Sequence, residues 1–279
     1  MRKTTIYLLL MLSACMQAQT DKLYPLITAA DQIGLSSIQL RDPYLSPLYY
    51  NGAGLKYVHT QQRFFNPENN TLSMESKASA LVGYTVNEPY SAAIMYVGGD
   101  YRWGAFYHFR LQPRLQLLAG GNINAGFGYK YNSRNVNNPV NVDVAVNLNL
   151  AGKLRYDAQI FKRTVRLTYA FDSPLAGCMY VPLVDASYYE MFGLGNMTDA
   201  VHFSSLHNKQ GLNSEFTMDV PFNRSVLRVG LHVNNLKYQA NDIIFKFQEV
   251  GFTLGWKYNF YVFSGRKNQA PKNFISTEE

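Results

Sequence analysis

Residues 140–157 read VNVDVAVNLNLAGKLRYD. Val140, Val142, Val144, Val146, Leu148, Leu150, Leu154 and Tyr156 share one parity, and Asn141, Asp143, Asn147, Asn149, Lys153, Arg155 and Asp157 share the other. Successive side chains of a strand point to opposite faces, so this period of two gives one apolar face and one polar, charged face. A half-buried strand of a soluble sandwich is about 5 or 6 residues long, and this alternation runs about three times further. That length suits a strand crossing a membrane, with lipid against one face and a polar lumen against the other. Together with the weaker alternating stretches, it predicts an all-β chain forming an antiparallel transmembrane β-barrel of about 10 to 12 strands.

The bulk composition agrees. The chain has 279 residues, 47% of them hydrophobic, with a mean hydropathy of −0.19. Beyond the N-terminus no apolar run approaches the ~18 residues that a spanning helix requires, which excludes a helical membrane protein. The 21 Tyr and 17 Phe suit a barrel girdled by aromatic residues at headgroup level; a secreted soluble sandwich is the alternative.

Residues 1–18 read as a signal peptide: Arg2 and Lys3, an apolar core, then small and polar residues, with cleavage after Ala18. A competing reading takes Leu12-Ser13-Ala14-Cys15 as a lipoprotein box, with acylation at Cys15. Once the leader is removed, the basic excess is modest and scattered, unlike the clustered footprint of a nucleic-acid-binding protein. The expected partners are therefore outer-membrane lipid and an outer-membrane protein, with no nucleic acid. Cys178 is then alone, and a single Cys forms no internal disulfide. No phosphate loop, nucleotide motif or Cys/His cluster is present, so no metal and no cofactor are expected.

Taken in order, residues 19–52 read as an N-terminal lead-in to the barrel, without sustained period and with Pro43 and Pro47 opposing a long ladder. The barrel is expected over 53–263. Residues 90–97 and 102–111 read as two strands, and 172–200 as a long loop on the outer side holding Tyr188, Tyr189 and Glu190. In the last strand the apolar parity sits on Phe245 and Phe247, then on Val250, Phe252, Leu254 and Trp256, a change that a β-bulge would produce. Residues 264–279 read as a polar C-terminal tail. The inward parity places Glu75, Lys77, Asn122, Asn124, Asp143, Asn147, Lys153 and Arg155 in the lumen, where pairing of the charges into a structural plug is expected ahead of ion selectivity.

Several motifs together resemble an uncharacterised family of Bacteroidetes outer-membrane proteins defined only as a domain of unknown function. They are residues 42–52, Arg134-Asn135-Val136-Asn137-Asn138-Pro139, Ser187-Tyr188-Tyr189-Glu190 with Leu194-Gly195-Asn196, and His207-Asn208 with Gly211. The resemblance implies an outer-membrane barrel from a Bacteroidetes-type source and no particular activity.

The best catalytic candidate is His202-Phe203-Ser204. Residues two apart on a strand share a face, so the imidazole can reach the hydroxyl as its base. The pattern is similar to the His-x-Ser of outer-membrane phospholipases and lipid A deacylases, with Asn208, Asn213 or Glu215 as the orienting third group. Against it, Val201 and Phe203 take the apolar face and turn His202 and Ser204 into the lumen, away from lipid. The leading expectation is a structural, partner-binding or narrow-pore barrel, with a lipid-directed serine hydrolase as the alternative. Tyr188 and Tyr189 are expected to pack a loop across the mouth, with stacking on a sugar as the other reading.

Overall fold

A computed structural model of the chain describes residues 23–277 apart from 137, 161–162, 185, 195–197, 223–224 and 262–272. The leader at 1–18, its cleavage or acylation sites, and residues 264–272 of the tail lie outside the described residues. The strands are β1 (Tyr24–Pro25), β2 (Ile27–Asp42), β3 (Ser46–Phe64), β4 (Leu72–Asn87), β5 (Ala93–Gln112), β6 (Leu115–Asn132), β7 (Val140–Ile160), β8 (Arg163–Tyr180), β9 (Val201–Ser205), β10 (Lys209–Phe222), β11 (Ser225–Ala240), β12 (Ile243–Phe260) and β13 (Phe274–Ile275). From β2 to β12 each strand pairs antiparallel with the next along the chain, except that β9 and β10 occupy one place and both pair with β8. β12 pairs back onto β2, from Phe260 opposite Ile27 to Lys246 opposite Arg41, closing a barrel of 10 strands.

The strands are longer than a bilayer demands. β7 has 21 residues, whereas a tilted strand crosses the hydrocarbon in about 9 to 11. The strands therefore project well beyond the membrane, and the two ends of the barrel are built differently. We call the end that carries β1 and β13 terminal and the opposite end distal.

Three expectations are corrected by the ladders. The stretch 27–52, expected in the lead-in, instead supplies a complete barrel strand, a turn and the start of β3. Its prolines fall at the turn and its flank, where a missing N–H costs no ladder bond. Asp42 holds that turn, its backbone oxygen accepting from the Leu45 amide at 3.0 Å and its side chain from the Tyr44 amide at 3.2 Å. Residues 93–112 form the single strand β5 rather than two. Gly98-Gly99 reads as a break, but a Cβ on Gly98 would fall 2.4 Å from the Tyr96 hydroxyl, so the glycine makes room for a ring lying along the wall. The expected bulge in β12 is absent: its register against β11 runs unbroken from Ile243 to Lys257. The parity of the strand never changes; what changes is which parity is apolar.

Near the distal end, Ile38, Leu40, Tyr50, Ile94, Tyr238, Ile243, Phe245 and Phe247 point inward and form the hydrophobic core, while Gln39, Lys246 and Gln248 point outward. In the middle the order inverts, with Leu35, Leu55, Val82, Ile123, Val146, Leu148, Phe252 and Leu254 exposed on the outside as the lipid-facing band.

The wall has one lapse among the described residues. Ser173, Pro174 and Leu175 of β8 pair with neither β9 nor β10, and opposite them the chain makes an excursion at 206–212. Pro174 has no N–H to donate, which removes a ladder bond at this level. At the terminal end β13 pairs in parallel with β1, and Ser276 and Thr277 are buried. Residues 273–277 thus depart from the expectation of a solvated tail. They fold back into the mouth, because the Arg155 guanidinium in the lumen donates to the Thr277 carbonyl at 3.0 Å.

Candidate functional site

The lumen is layered. Its terminal and middle part holds a network of ion pairs, several of which join distant strands. Lys153 pairs with Glu75 and Lys77 with Glu215, Lys56 meets Glu249 at 2.6 Å, and Arg102 lies between Asp100 at 2.7 Å and Asp172 at 3.2 Å. Asp219 takes both Arg228 at 2.6 Å and Lys257 at 2.8 Å. Glu75 and Lys77 share a face, as the sequence implies, yet each pairs with a distant strand rather than with the other. Asn149 donates to Asn122 at 3.0 Å and Asn147 to Asn124 at 3.3 Å, cross-strand amide pairs that stiffen the wall between β6 and β7. Arg155 also donates to Gln62 at 2.5 Å.

Above this network sits the apolar core, with one charge group inside it. Lys130, fully buried, meets Asp42 at 2.5 Å and Asp143 at 2.8 Å, and its ammonium lies 4.1 Å from the centre of the Phe245 ring. Asn141 donates to Asp42 and the Tyr238 hydroxyl to Asp143, so both carboxylates are held by donors.

The described residues of the loop 181–200 close the distal mouth. The loop's bounds are narrower than the expected 172–200, because β8 continues to Tyr180. The Tyr188 hydroxyl donates to Asn141 at 2.9 Å and accepts from the Val142 amide at 2.7 Å, and its ring meets Tyr44 edge-on with centroids 5.9 Å apart. Met191 beside it is fully buried. Tyr189 is 73% exposed, and Glu190 accepts from the amide and hydroxyl of Ser187, which together hold its carboxyl below the usual range. Burial raises Tyr188, and Tyr44, pushed up by burial to about 12, donates to the Ala186 carbonyl at 2.9 Å.

His202 and Ser204 face the lumen, with Val201 and Phe203 outward. They share a face but no bond: the Ser204 hydroxyl and His202 Nε2 are both buried without a hydrogen-bond partner. The third-group candidates are engaged elsewhere. Asn208 accepts from the Ser205 amide and donates to the Phe203 carbonyl, both at 2.9 Å, which builds the turn after β9. Asn213 donates to Asp172 at 3.1 Å, and Glu215 is held by Lys77 with His232 Nδ1 at 3.7 Å. This arrangement assembles no nucleophile, base and orienting group.

Between the ion-pair network and the apolar core lies a chamber of about 180 Å³. Phe245, Phe247, Met179 and Leu81 line its apolar side, and Arg102, Lys77, His232 and Lys209 its polar side. The sequence did not single out Arg102, His232 or Lys209. The available signal was the parity of Phe245 and Phe247, which marks where the lumen becomes apolar.

A family model described as "Protein of unknown function (DUF3316)" matches residues 4–267. The chain belongs to this family. No curated protein matches it. Among solved structures it is similar to the outer membrane protease OmpT from Escherichia coli, with 8% identity and a TM-score of 0.50 over 84% of this chain and 97% of that one. It also matches the translocator domain of the autotransporter NalP from Neisseria meningitidis, with 7% identity and a TM-score of 0.37 over 91% of this chain and 96% of that one. The attachment invasion locus protein Ail of Yersinia pestis matches with 11% identity and a TM-score of 0.29 over 83% of this chain and 98% of that one. At such identities the OmpT likeness shows the fold alone: an outer-membrane type of β-barrel.

Proposed function

We propose that the protein is a non-conducting barrel of a Gram-negative outer membrane, serving as a membrane-embedded scaffold or partner-binding protein rather than a narrow pore. The observation that carries this reading is the filled lumen: ion pairs in its terminal and middle part, a hydrophobic core beyond them, and Thr277 and the loop 181–200 at the two mouths. A barrel of about this size holds side chains or one small ligand rather than an aqueous channel. The distal end faces outward in this reading, the leader is cleaved after Ala18 or acylated at Cys15, and the source is of Bacteroidetes type. Outer-membrane lipid surrounds the band, and a protein partner meets the projecting end.

The test is single-channel recording with the refolded full chain in a planar bilayer. Conductance indistinguishable from the empty bilayer is expected; discrete, reproducible current steps would return the protein to the pore class. The hydrolase alternative draws no support from the site, since Ser204 is 1% exposed and unbonded to His202.

A further inference from the structure

The chamber is not a random packing gap, because its polar groups are unequally satisfied. Two of the carboxylates along it hold several donors each: Asp172 accepts from Arg102, Asn149 and Asn213, and Asp143 from Lys130 and Tyr238. The lysines are not treated alike. Among the described lumen lysines, Lys56, Lys77, Lys130, Lys153 and Lys257 each meet a carboxylate. Lys209 does not: it is 5% exposed, lines the chamber, and donates to the amide oxygen of Asn147 at 3.0 Å. A buried ammonium left with an amide oxygen and unused donors is costly unless an anion joins it.

Phe245, Phe247 and Met179 line the same chamber, and its wall at Gly126 carries no side chain. A Cβ there would meet nothing closer than the Asn124 side-chain oxygen at 3.7 Å, so the glycine leaves usable space rather than relieving a clash. One apolar side, one lysine without a carboxylate and a bounded volume define an amphipathic ligand site. The volume sets the size: an apolar cavity of about 150 Å³ holds one benzene ring.

We propose that the chamber binds a small monocarboxylate with an apolar body, of the size of an aromatic acid or a short-chain acid, its carboxylate on Lys209 and its body against Phe245 and Phe247. A long acyl chain exceeds the volume, and a cation would meet the Lys209 ammonium, with Asp172 and Asp143 already holding donors. The inference concerns the chamber alone and stands whether or not the barrel conducts.

The experiment is isothermal titration of the full chain in lipid nanodiscs with benzoate and with hexanoate, and with benzyl alcohol and benzylamine as neutral and cationic counterparts. Saturable one-to-one binding of an acid is expected, with the alcohol and the amine at least tenfold weaker. Lys209→Met and Gly126→Leu, the latter filling the chamber with a side chain, should each weaken acid binding at least tenfold while keeping the heat-dependent gel shift of a folded barrel. Were Lys209→Met to fail to fold, Gly126→Leu still locates the site and the benzylamine comparison still tests the charge. The proposal is overturned if neither acid binds the folded wild type, if binding survives either substitution, or if benzylamine binds as well as benzoate.

Discussion

β12 runs through two environments on one unbroken ladder. Near its start Ile243, Phe245 and Phe247 point into the lumen while Ile244, Lys246 and Gln248 point out; from Val250 to Tyr258 the apolar side chains point out while Glu249, Thr253 and Lys257 point in. The period of two belongs to the strand, whereas the identity of its apolar face belongs to the surroundings. Where the outside is lipid, apolar side chains go outward and the lumen is filled with paired charges. Where the barrel projects into water, the rule is that of a soluble protein and the inside becomes the core.

The largest expected effect lies in the distal half. Lys130→Met would leave the buried Asp42 and the half-buried Asp143 without their shared cation, a loss of about 3–5 kcal/mol expected for breaking a buried pair. Urea titration followed by the heat-dependent gel shift measures it; a loss under about 1 kcal/mol would mean that water reaches this layer. Next comes the boundary itself. Phe252→Lys places a charge on the lipid-facing band and should cost about 2–4 kcal/mol. Gln248→Lys, four residues earlier on the same face, should fall within about 0.5 kcal/mol of wild type, as an ordinary surface change does. Equal costs in the same unfolding assay would erase the distinction between the two halves.

The smallest effect is expected at the distal mouth. Tyr44 ionises in the folded chain at about 12 rather than its ordinary 10, so the folded state holds that proton more tightly and stability falls as pH rises from 10 through 12. Tyr188 is displaced in the same direction by burial. Limited proteolysis across this range should cut the loop 181–200 progressively faster, and Tyr44→Phe, which cannot ionise, should blunt the rise. A rate independent of pH would detach Tyr44 from the docking of the loop.

Much of the barrel is legible residue by residue where lipid and lumen are sharply different. β6 and β7 alternate along most of their length, the inward Leu118 being an exception, and their inward Asn, Asp, Lys and Arg can be placed from parity alone. β2 is the counterexample. Its outward face runs Ile33, Leu35, Ser37, Gln39 and its inward face Gln32, Ser36, Ile38, Leu40, so each face is half apolar and the sequence shows no amphipathic strand. The same inversion imitates a bulge in β12. At the site, parity turned His202 and Ser204 inward, but the partners of Glu215 and Asn213 lie on strands far away in sequence, at Lys77 and Asp172.

By itself the sequence determined the all-β class, the period of the strands, the lumen face of β6 and β7, and the lack of a spanning helix, because alternation and length are local properties of the chain. Only the tertiary structure decided the strand number, the place of β2, the crossing ion pairs, the return of Thr277 into the mouth and, among the described lumen lysines, the one without a carboxylate. Each of these depends on which strands stand opposite one another across a closed barrel, and closure is a long-range condition that no stretch of sequence carries.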